Sequence, residues 1–158
     1  MERIQYVLAP IDMTDKCRAG LRAAIFFARR LKVQLELLHV DSRIMNDEAE
    51  VMLRVSYKAY EKKERKLEAA ALQRMQEMVV VEGGDKLKPP PVFTVLGGDP
   101  AETIARHADE VEDCMIVMTK KSSSTVADLL LGSVTQKVVS NARAPVITIH
   151  CEMKDLDD

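Results

Sequence analysis

The chain has 158 residues, of which 47% are hydrophobic and 30% charged, and its 23 basic residues nearly balance its 25 acidic ones. This composition predicts one folded domain, and the net charge of −2 excludes a partner held mainly by charge, such as nucleic acid or an anionic membrane surface. The three cysteines are widely spaced, which indicates neither a disulfide framework nor a structural zinc site and favours a reducing cytoplasm. No stretch approaches the roughly 20 apolar residues that span a bilayer, so we expect neither export nor membrane insertion.

The first part of the chain predicts a strand, a helix and a second strand. Ile4–Ala9 is short and largely apolar, and Pro10 is expected to follow its end because proline cannot donate to a sheet. Capping side chains begin at Asp12, and apolar residues then recur three and four apart as far as Leu31, which indicates a helix. Val33–Val40 is β-branched at its ends and alternates on one side, as a strand does. Together these segments predict a βαβ unit with parallel strands.

The middle of the chain predicts one long helix and a third strand. Asp47–Val81 contains neither proline nor glycine and is rich in helix-forming residues. Glu82–Asp85 carries two glycines that end this helix. A run of three prolines then leads into Val92–Leu96, which has the composition of a strand.

The following segment carries the most complete helix-start signal in the chain. Asp99 is placed as the N-cap, Pro100 at the first helical position, and Glu102 three residues after the cap. These residues predict a helix over Pro100–Glu110. Cys114–Met118 is a continuous apolar run, which is typical of a parallel strand covered on both faces.

The last part of the chain completes the predicted sheet. Leu129–Ser133 is expected to open a final helix, Pro145–Ile149 to form the fifth strand, and the acidic tail 151–158 to fray. Five strands alternating with helices predict an α/β fold, a doubly wound five-stranded parallel sheet, in one domain over residues 4–150. Ligands of such sheets bind beyond the carboxyl ends of the strands, so the loops at those ends are the candidate site.

The order of these pieces resembles the universal stress protein family over Val7–Ile149. The matching segments are Val7–Asp12, Leu37–Val40, Gly98–Glu102, Ile116–Met118, Leu130–Val134 and Ala144–Val146. The resemblance implies an adenine nucleotide alpha hydrolase-like fold with strand order 3-2-1-4-5. It also implies a homodimeric, cytoplasmic stress-response protein with no generally assigned reaction.

The resemblance, together with the positive charge of Lys120, indicates nine residues of a candidate nucleotide site. They are Pro10, Ile11, Asp12, Val40, Met118, Lys120, Gly132, Ser133 and Val134. Family members that bind ATP resemble one another in a loop Gly-x2-Gly-x9-Gly-Ser/Thr after the fourth strand, and here Thr119 and Ser122 replace the first two glycines. Each added β-carbon costs on the order of 1 kcal/mol where the backbone needs a positive φ, so we expect weakened triphosphate binding.

Other features of the same region favour an anion. Gly132 and Ser133 begin the final helix, whose free N–H groups and dipole attract negative charge. Lys120 and Lys121 add positive charge to the loop. Asp12 has two interpretations, a cap or loop residue and a ribose or metal contact, and the first is preferred because aspartate is common at strand-to-helix junctions.

No catalytic residue and no metal site are predicted. His39 is interpreted as a histidine at the edge of the core, and the signatures of Walker, dinucleotide-binding and nucleotidyl-transfer proteins do not occur. The first hypothesis is a dimeric regulatory module with weak or absent nucleotide binding and an unidentified protein partner, paired through Val146, Ile147, Thr148 and Ile149. The alternative is an ATP-binding switch or slow ATPase that uses the loop after the fourth strand, and it is motivated by Gly132, Ser133, Asp12 and the two lysines. Binding of ATP or AMP is possible. An enzyme is the less favoured interpretation.

Overall fold

The structure, a computed structural model, describes residues 3–44, 57–120 and 132–150. In chain order its elements are β1 (Tyr6–Pro10), α1 (Arg18–Leu31), β2 (Gln34–Asp41), α2 (Tyr57–Val81), β3 (Val92–Gly97), α3 (Pro100–Glu110), β4 (Cys114–Lys120), α4 (Ser133–Asn141) and β5 (Val146–His150). The strands pair in parallel in the order β3-β2-β1-β4-β5. The predicted fold class and strand order are confirmed.

Helices cover both faces of the sheet. Successive side chains of a strand point to opposite faces, so Leu35 of β2 packs in the layer of α1 and α2 while Leu38 packs in the layer of α3 and α4. Met75 of α2 is fully buried in the first layer, and Val138 of α4 is fully buried in the second. This double cover explains why the central strands are apolar on both sides.

Pro10 is the last residue of β1 and not the residue after it. It is in register with Leu38, and Ile11 N donates to Leu38 O at 2.8 Å. The backbone of Pro10 therefore faces β4, and the ladder that β1 shares with β4 has already ended at the pair Leu8 and Ile116. Because no ladder bond is lost there, the prediction that proline follows the strand is wrong by one residue.

β4 is two residues longer than predicted. The apolar run Cys114–Met118 continues through Thr119 and Lys120, which are in register with Ile149 and His150 of β5. Lys120 is only 8% exposed. The prediction that this lysine lies in the loop is therefore wrong, because β5 extends far enough to pair with it.

The other predicted boundaries differ little from the structure. Strands β2, β3 and β5 each end one residue later than predicted. α3 begins as predicted, with Asp99 Oδ1 accepting a hydrogen bond from Glu102 N at 3.0 Å. The predictions for residues 47–56, 121–131 and 151–158 lie outside the described residues. No helix in the described part of the chain is long and apolar enough to cross a membrane.

Candidate functional site

A cavity of about 260 Å³ lies at the carboxyl edge of the sheet. The lining residues come from the carboxyl ends of three strands and from the starts of three helices. They are Pro10, Ile11 and Asp12 at the end of β1, Cys17 directly before α1, Leu38, His39 and Val40 of β2, Pro100 and Ile104 of α3, Met118 and Thr119 of β4, and Gly132, Ser133, Val134 and Thr135 at the start of α4. The strand order reverses between β1 and β4. This is the place where doubly wound sheets bind ligands.

Eight of the nine residues predicted for a ligand site line this cavity. They are Pro10, Ile11, Asp12, Val40, Met118, Gly132, Ser133 and Val134. The ninth, Lys120, is the last residue of β4 and is not among the lining residues. The structure brings the eight together, and their contact with a ligand stays a prediction.

Seven lining residues were not predicted as site residues. They are Cys17, Leu38, His39, Pro100, Ile104, Thr119 and Thr135. One signal was present in the sequence, because a helix that follows a parallel strand begins at the carboxyl edge of the sheet, so the start of α3 had to lie near the site. The same signal applied to Cys17, because α1 follows β1, and Thr119 lies next to Met118 at the carboxyl end of β4.

Asp12 closes a tight turn at the rim of the cavity. Its Oδ1 accepts hydrogen bonds from Thr14 N at 2.9 Å and from Thr14 Oγ1 at 2.7 Å. Met13 between them has φ 67°, in the left-handed region that favours glycine. Asp12 therefore stabilises the loop, in agreement with the preferred interpretation, although it is not the N-cap of α1, which is Cys17.

His39 is one of the lining residues, and a hydrogen bond fixes the orientation of its ring. Its Nδ1 lies 2.7 Å from Ile11 O, and because a carbonyl oxygen only accepts, Nδ1 carries the proton of this hydrogen bond. Its Nε2 lies 3.9 Å from Asp41 Oδ2, which is beyond hydrogen-bond distance. The hydrogen bonds that Arg43 donates to Asp41 lower the pKa of Asp41 to about 2. His39 thus fastens the loop after β1 to β2.

Thr119 occupies the position of the first replaced glycine and fastens β4 to α1. Its Oγ1 accepts from Gly20 N at 2.8 Å and donates to Cys17 O at 3.2 Å. A β-carbon on Gly20 would stand 2.6 Å from that oxygen, so the helix packs directly on the strand. Thr119 has extended strand geometry, and the strain expected from a side chain at this position therefore does not arise.

Cys17 also lines the cavity, but its thiol is not activated as a nucleophile. Its Sγ donates to Thr14 O at 2.9 Å. Burial, and after it the charge of Asp12, raise the pKa of the Cys17 thiol to about 11. The thiolate that a nucleophile requires is therefore scarce at neutral pH.

The start of α4 supplies the polar side of the cavity. Gly132 is the N-cap, no side chain caps the helix, and Gln136 N donates the first helical hydrogen bond to Gly132 O at 2.8 Å. The N–H groups of Ser133–Thr135 precede that bond and have no acceptor within the helix. They present the positive end of the helix dipole at the cavity.

The described lining contains one charged side chain, that of Asp12, and neither lysine nor arginine. Over residues 3–44, 57–120 and 132–150, no group of three or more His, Cys, Asp or Glu side chains is placed to hold a metal ion. The described lining is therefore mainly apolar, and it also includes one carboxylate and the N–H groups of a helix start. Such a site is suited to binding a small polar molecule with a flat apolar part.

Comparison with known proteins identifies the family of this chain. It is 22% identical to the universal stress protein YxiE of Bacillus subtilis over 146 residues, which is 91% of this chain and 97% of that protein. A universal stress protein in complex with cAMP has a similar fold, with a TM-score of 0.63, 19% identity and coverage of 96% of this chain and 100% of that chain. The universal stress protein from Archaeoglobus fulgidus in complex with dAMP has a TM-score of 0.58, 21% identity and coverage of 94% and 99%. Residues 4–150 match the Universal stress protein family, and the chain belongs to that family.

Proposed function

We propose that this protein is a regulatory module whose cavity binds an adenine mononucleotide weakly and reversibly, without a reaction of its own. The observation that carries the proposal is one small cavity in which apolar side chains of three strand ends meet the uncapped start of α4. The apolar part and the helix N–H groups suit the two halves of a nucleotide.

The apolar side of the cavity suits a nucleobase. Val40, Met118 and Ile104 come from β2, β4 and α3 and face one volume. That volume, about 260 Å³, lies below the roughly 300–1,000 Å³ that is usual for ligand pockets. The described walls therefore favour a nucleoside with a short phosphate portion over a larger molecule.

The polar side suits a phosphate, but only modestly. The N-terminus of α4 favours an anion by about 0.3–1 kcal/mol, while the carboxylate of Asp12 opposes one. Because the described lining offers neither lysine nor arginine, we expect dissociation constants on the order of 0.1–1 mM. The cAMP and dAMP of the two similar structures each combine adenine with one phosphate, which supports this class of ligand.

Calorimetric titration with cAMP, AMP and Mg-ATP tests the proposal. We expect saturable binding of the monophosphates to the wild-type protein. Gly132→Val should abolish it, because a branched side chain at the N-cap blocks approach to the N–H groups of the first turn. Ser140→Val adds a branched side chain to the same helix away from the cavity and is the matched control. A folded wild-type protein that binds none of the three at millimolar concentration would contradict the proposal.

The alternative function is an ATP-binding switch or slow ATPase, and three of its residues, Asp12, Gly132 and Ser133, line the cavity. Of its two lysines, Lys120 is buried in β4 and Lys121 is not described. The same titration decides between the two. Mg-ATP binding tenfold or more tighter than AMP, or phosphate release above the uncatalysed rate, would favour the alternative.

We also propose that the protein pairs with a second copy through β5. This strand is at the edge of the sheet, and Val146–Ile149 is half-buried in the single chain. Ile116 N donates to Pro145 O at 2.8 Å, so the alternate residues Val146 and Thr148 direct their backbone N–H and C=O groups away from β4. An apolar edge with unpaired backbone groups favours pairing with another strand.

Sedimentation of a proline variant tests this pairing. Thr148→Pro removes an outward N–H and leaves the ladder with β4 intact, since proline is tolerated at a sheet edge in that position. We expect a dimer for the wild-type protein and a folded monomer for Thr148→Pro, with Thr148→Val as the dimeric control. A monomeric wild-type protein at micromolar concentration would contradict the proposal.

A further inference from the structure

We propose that the amino edge of the sheet is a docking surface for an acidic segment of a partner protein. This surface, the basic edge, consists of residues 3–5, 29–34 and 83–90. These three segments lead into the parallel strands β1, β2 and β3, so the basic edge lies at the opposite edge of the sheet from the cavity. The inference goes beyond the proposed nucleotide function and does not depend on it.

Direct contacts join the three segments into one surface. Gln34 Nε2 donates to Pro90 O at 2.7 Å, and Arg29 Nη2 donates to Gly83 O at 3.3 Å. An open depression of about 390 Å³ brings the first segment to the other two. It is lined by Arg3, Gln5, Lys32, Val33, Gln34 and Pro89. The basic edge is therefore continuous from the start of the described chain to the turn before β3.

The basic edge concentrates positive charge on a protein that is acidic as a whole. Its three segments contain six basic residues and one acidic residue, Asp85, and thus carry a net charge of +5, whereas the whole chain carries −2. The remainder of the chain therefore carries −7. All six basic side chains are exposed, and they are Arg3, Arg29, Arg30, Lys32, Lys86 and Lys88. Such a local excess attracts an anionic partner to this edge.

Most of this charge has no counter-charge within the protein. Five of the six basic residues form no ion pair with a described residue, and they are Arg3, Arg30, Lys32, Lys86 and Lys88. By contrast, Arg18 and Arg22 on α1 both lie within 3.7 Å of Glu82 carboxylate oxygens. A carboxylate of a partner would therefore supply at the basic edge what Glu82 supplies in the middle of the helix.

Two of the cations start from fixed positions. Arg30 Cζ lies 5.5 Å from the centroid of the Phe26 ring, a cation–π contact that holds the guanidinium while its N–H groups stay available to a carboxylate. Lys32 ends α1 in the left-handed conformation, and its N–H donates to Ala28 O. Groups that are already positioned lose less conformational entropy when a partner binds.

The composition of the surface favours a polypeptide over a nucleic acid. Leu31 lies within the basic edge and Val92 directly follows it in β3, and these apolar side chains are 38% and 42% exposed. An acidic protein segment can offer both carboxylates and apolar side chains to such a mixed surface. A long nucleic acid would extend from the basic edge onto a surface that repels it, because the remainder of the chain is acidic.

NMR titration of the isotope-labelled protein with a defined peptide tests the proposal. The probe is Glu-Glu-Leu-Glu-Glu-Leu-Glu-Glu, blocked at both ends. At about 20 mM salt we expect a dissociation constant on the order of 0.1–1 mM, the sum of several weak exposed ion pairs. The amide signals of residues 3–5, 29–34 and 83–88 should shift. At about 200 mM salt the affinity should fall about fivefold, because salt screens exposed charges.

A double substitution in the depression removes two of the cations. Arg3→Gln with Lys32→Asn should weaken peptide binding about fivefold, and asparagine is tolerated in the left-handed conformation of residue 32. Lys62→Gln with Lys137→Gln removes the same charge from exposed positions on α2 and α4 and should bind the peptide like the wild-type protein.

A second pair of substitutions tests the other side of the basic edge. Lys86→Gln with Lys88→Gln leaves the depression and the end of α1 unchanged and should weaken the peptide to a similar extent. Thermal denaturation checks that each variant is folded.

Three results would overturn the proposal. The first is the absence of shifts at the basic edge with millimolar peptide at low salt. The second is equal peptide affinity of the depression variant and its control. The third is tighter binding of heptathymidylate, whose six phosphodiesters match the six carboxylates of the peptide, because it would identify a nucleic acid as the preferred partner. The titration with cAMP tests the cavity separately, so either proposal can fail without the other.

Discussion

Two buried polar regions lie at different ends of β2, and they differ in how fully the protein satisfies them. Near the start of the strand, Glu36 accepts from Tyr6 Oη at 2.8 Å and from Thr94 Oγ1, and it pairs with His107 Nε2 at 3.0 Å. Near its end, His39 Nδ1 donates to Ile11 O, whereas its Nε2 lies 3.9 Å from Asp41 Oδ2, beyond hydrogen-bond distance. Polar groups whose hydrogen-bond partners all belong to the protein stabilise the fold. A polar group with a hydrogen-bonding position left over can bind a further partner.

The Glu36 network keeps a buried charge by surrounding it with donors. Glu36 is 3% exposed, and burial alone raises its pKa, but the hydrogen bonds from His107, Thr94 and Tyr6 outweigh burial and leave the pKa below its usual value. The same hydrogen bond to Glu36 raises the pKa of His107. One ion pair thereby joins α3 to β2, and α3 also lines the cavity at its other end.

The largest expected effect is the removal of this carboxylate. Glu36→Ala leaves His107 without its counter-charge and two hydroxyl groups without their acceptor, so we expect the free energy of unfolding to fall by about 3 kcal/mol. Urea denaturation measures it, with Glu112→Ala on the exposed surface as the control. A loss below about 1 kcal/mol would show that the network contributes little to stability.

The next effect concerns the hydroxyl that joins β4 to α1. Thr119→Val keeps the shape of the side chain but leaves Gly20 N without an acceptor, and we expect a loss of about 1–2 kcal/mol in the free energy of unfolding. Thr119→Ser retains the hydroxyl and should remain close to wild type. Equal stability of the valine and serine variants would mean that this hydrogen bond does not fasten the helix.

Met13 and Lys32 both have left-handed backbone conformations, one beside the cavity and one away from it. Substitutions at the two positions therefore compare the loop beside the cavity with a distant turn. Met13 (φ 67°) lies in the loop beside Asp12, and Lys32 (φ 58°) ends α1 at the other end of the helix. In both places we expect the glycine variant to be about 1 kcal/mol more stable than the alanine variant, because only alanine keeps the strain. Calorimetric titration should find cAMP binding changed by Met13→Gly and unchanged by Lys32→Gly. Equal effects on binding would contradict the assignment of the Asp12 loop to the site.

The smallest effect is the pH dependence of the Glu36 network. The pKa of His107 is raised in the folded protein, so its stabilising contribution is complete below the unfolded value near 6.5 and is lost as pH rises through the folded pKa. The loss is partial, because a neutral ring with a proton on Nε2 still donates to Glu36. Burial raises the pKa of Tyr6, and it raises that of Cys114 to about 12, so neither group ionises near neutral pH.

Urea denaturation at a series of pH values measures this contribution. Stability of the wild-type protein should decline as pH rises from the unfolded value near 6.5 through the folded pKa of His107, and His107→Gln should remove that decline. For Glu36 the sign is opposite, since its lowered pKa makes its contribution present at neutral pH and lost as pH falls through the folded value. Identical alkaline profiles for wild type and His107→Gln would contradict the ion pair.

The fold was predictable because its signals are local. Apolar runs of strand length, such as Cys114–Met118, and the cap of α3 at Asp99 each specify an element within a few residues, whereas the order of the strands followed from the family resemblance. The errors came from pairing. Pro10 joins β1 and Lys120 joins β4 because of where the neighbouring strands end, which the local sequence does not contain.

The site was predictable in outline and not in its contacts. The resemblance placed eight residues around the cavity, but the ring of His39 is oriented by Ile11, which is 28 residues away in the sequence. Likewise the hydroxyl of Thr119 reaches Gly20 from 99 residues away. Such contacts depend on register and on the close approach of a helix, for which a single sequence has no periodic signal.

A crystal structure of the protein with cAMP tests the central claim most directly. We expect electron density for adenine against Val40 and Met118, with the phosphate at the N–H groups of Ser133 and its neighbours. An empty cavity at saturating cAMP, or a nucleotide bound elsewhere on the surface, would contradict it.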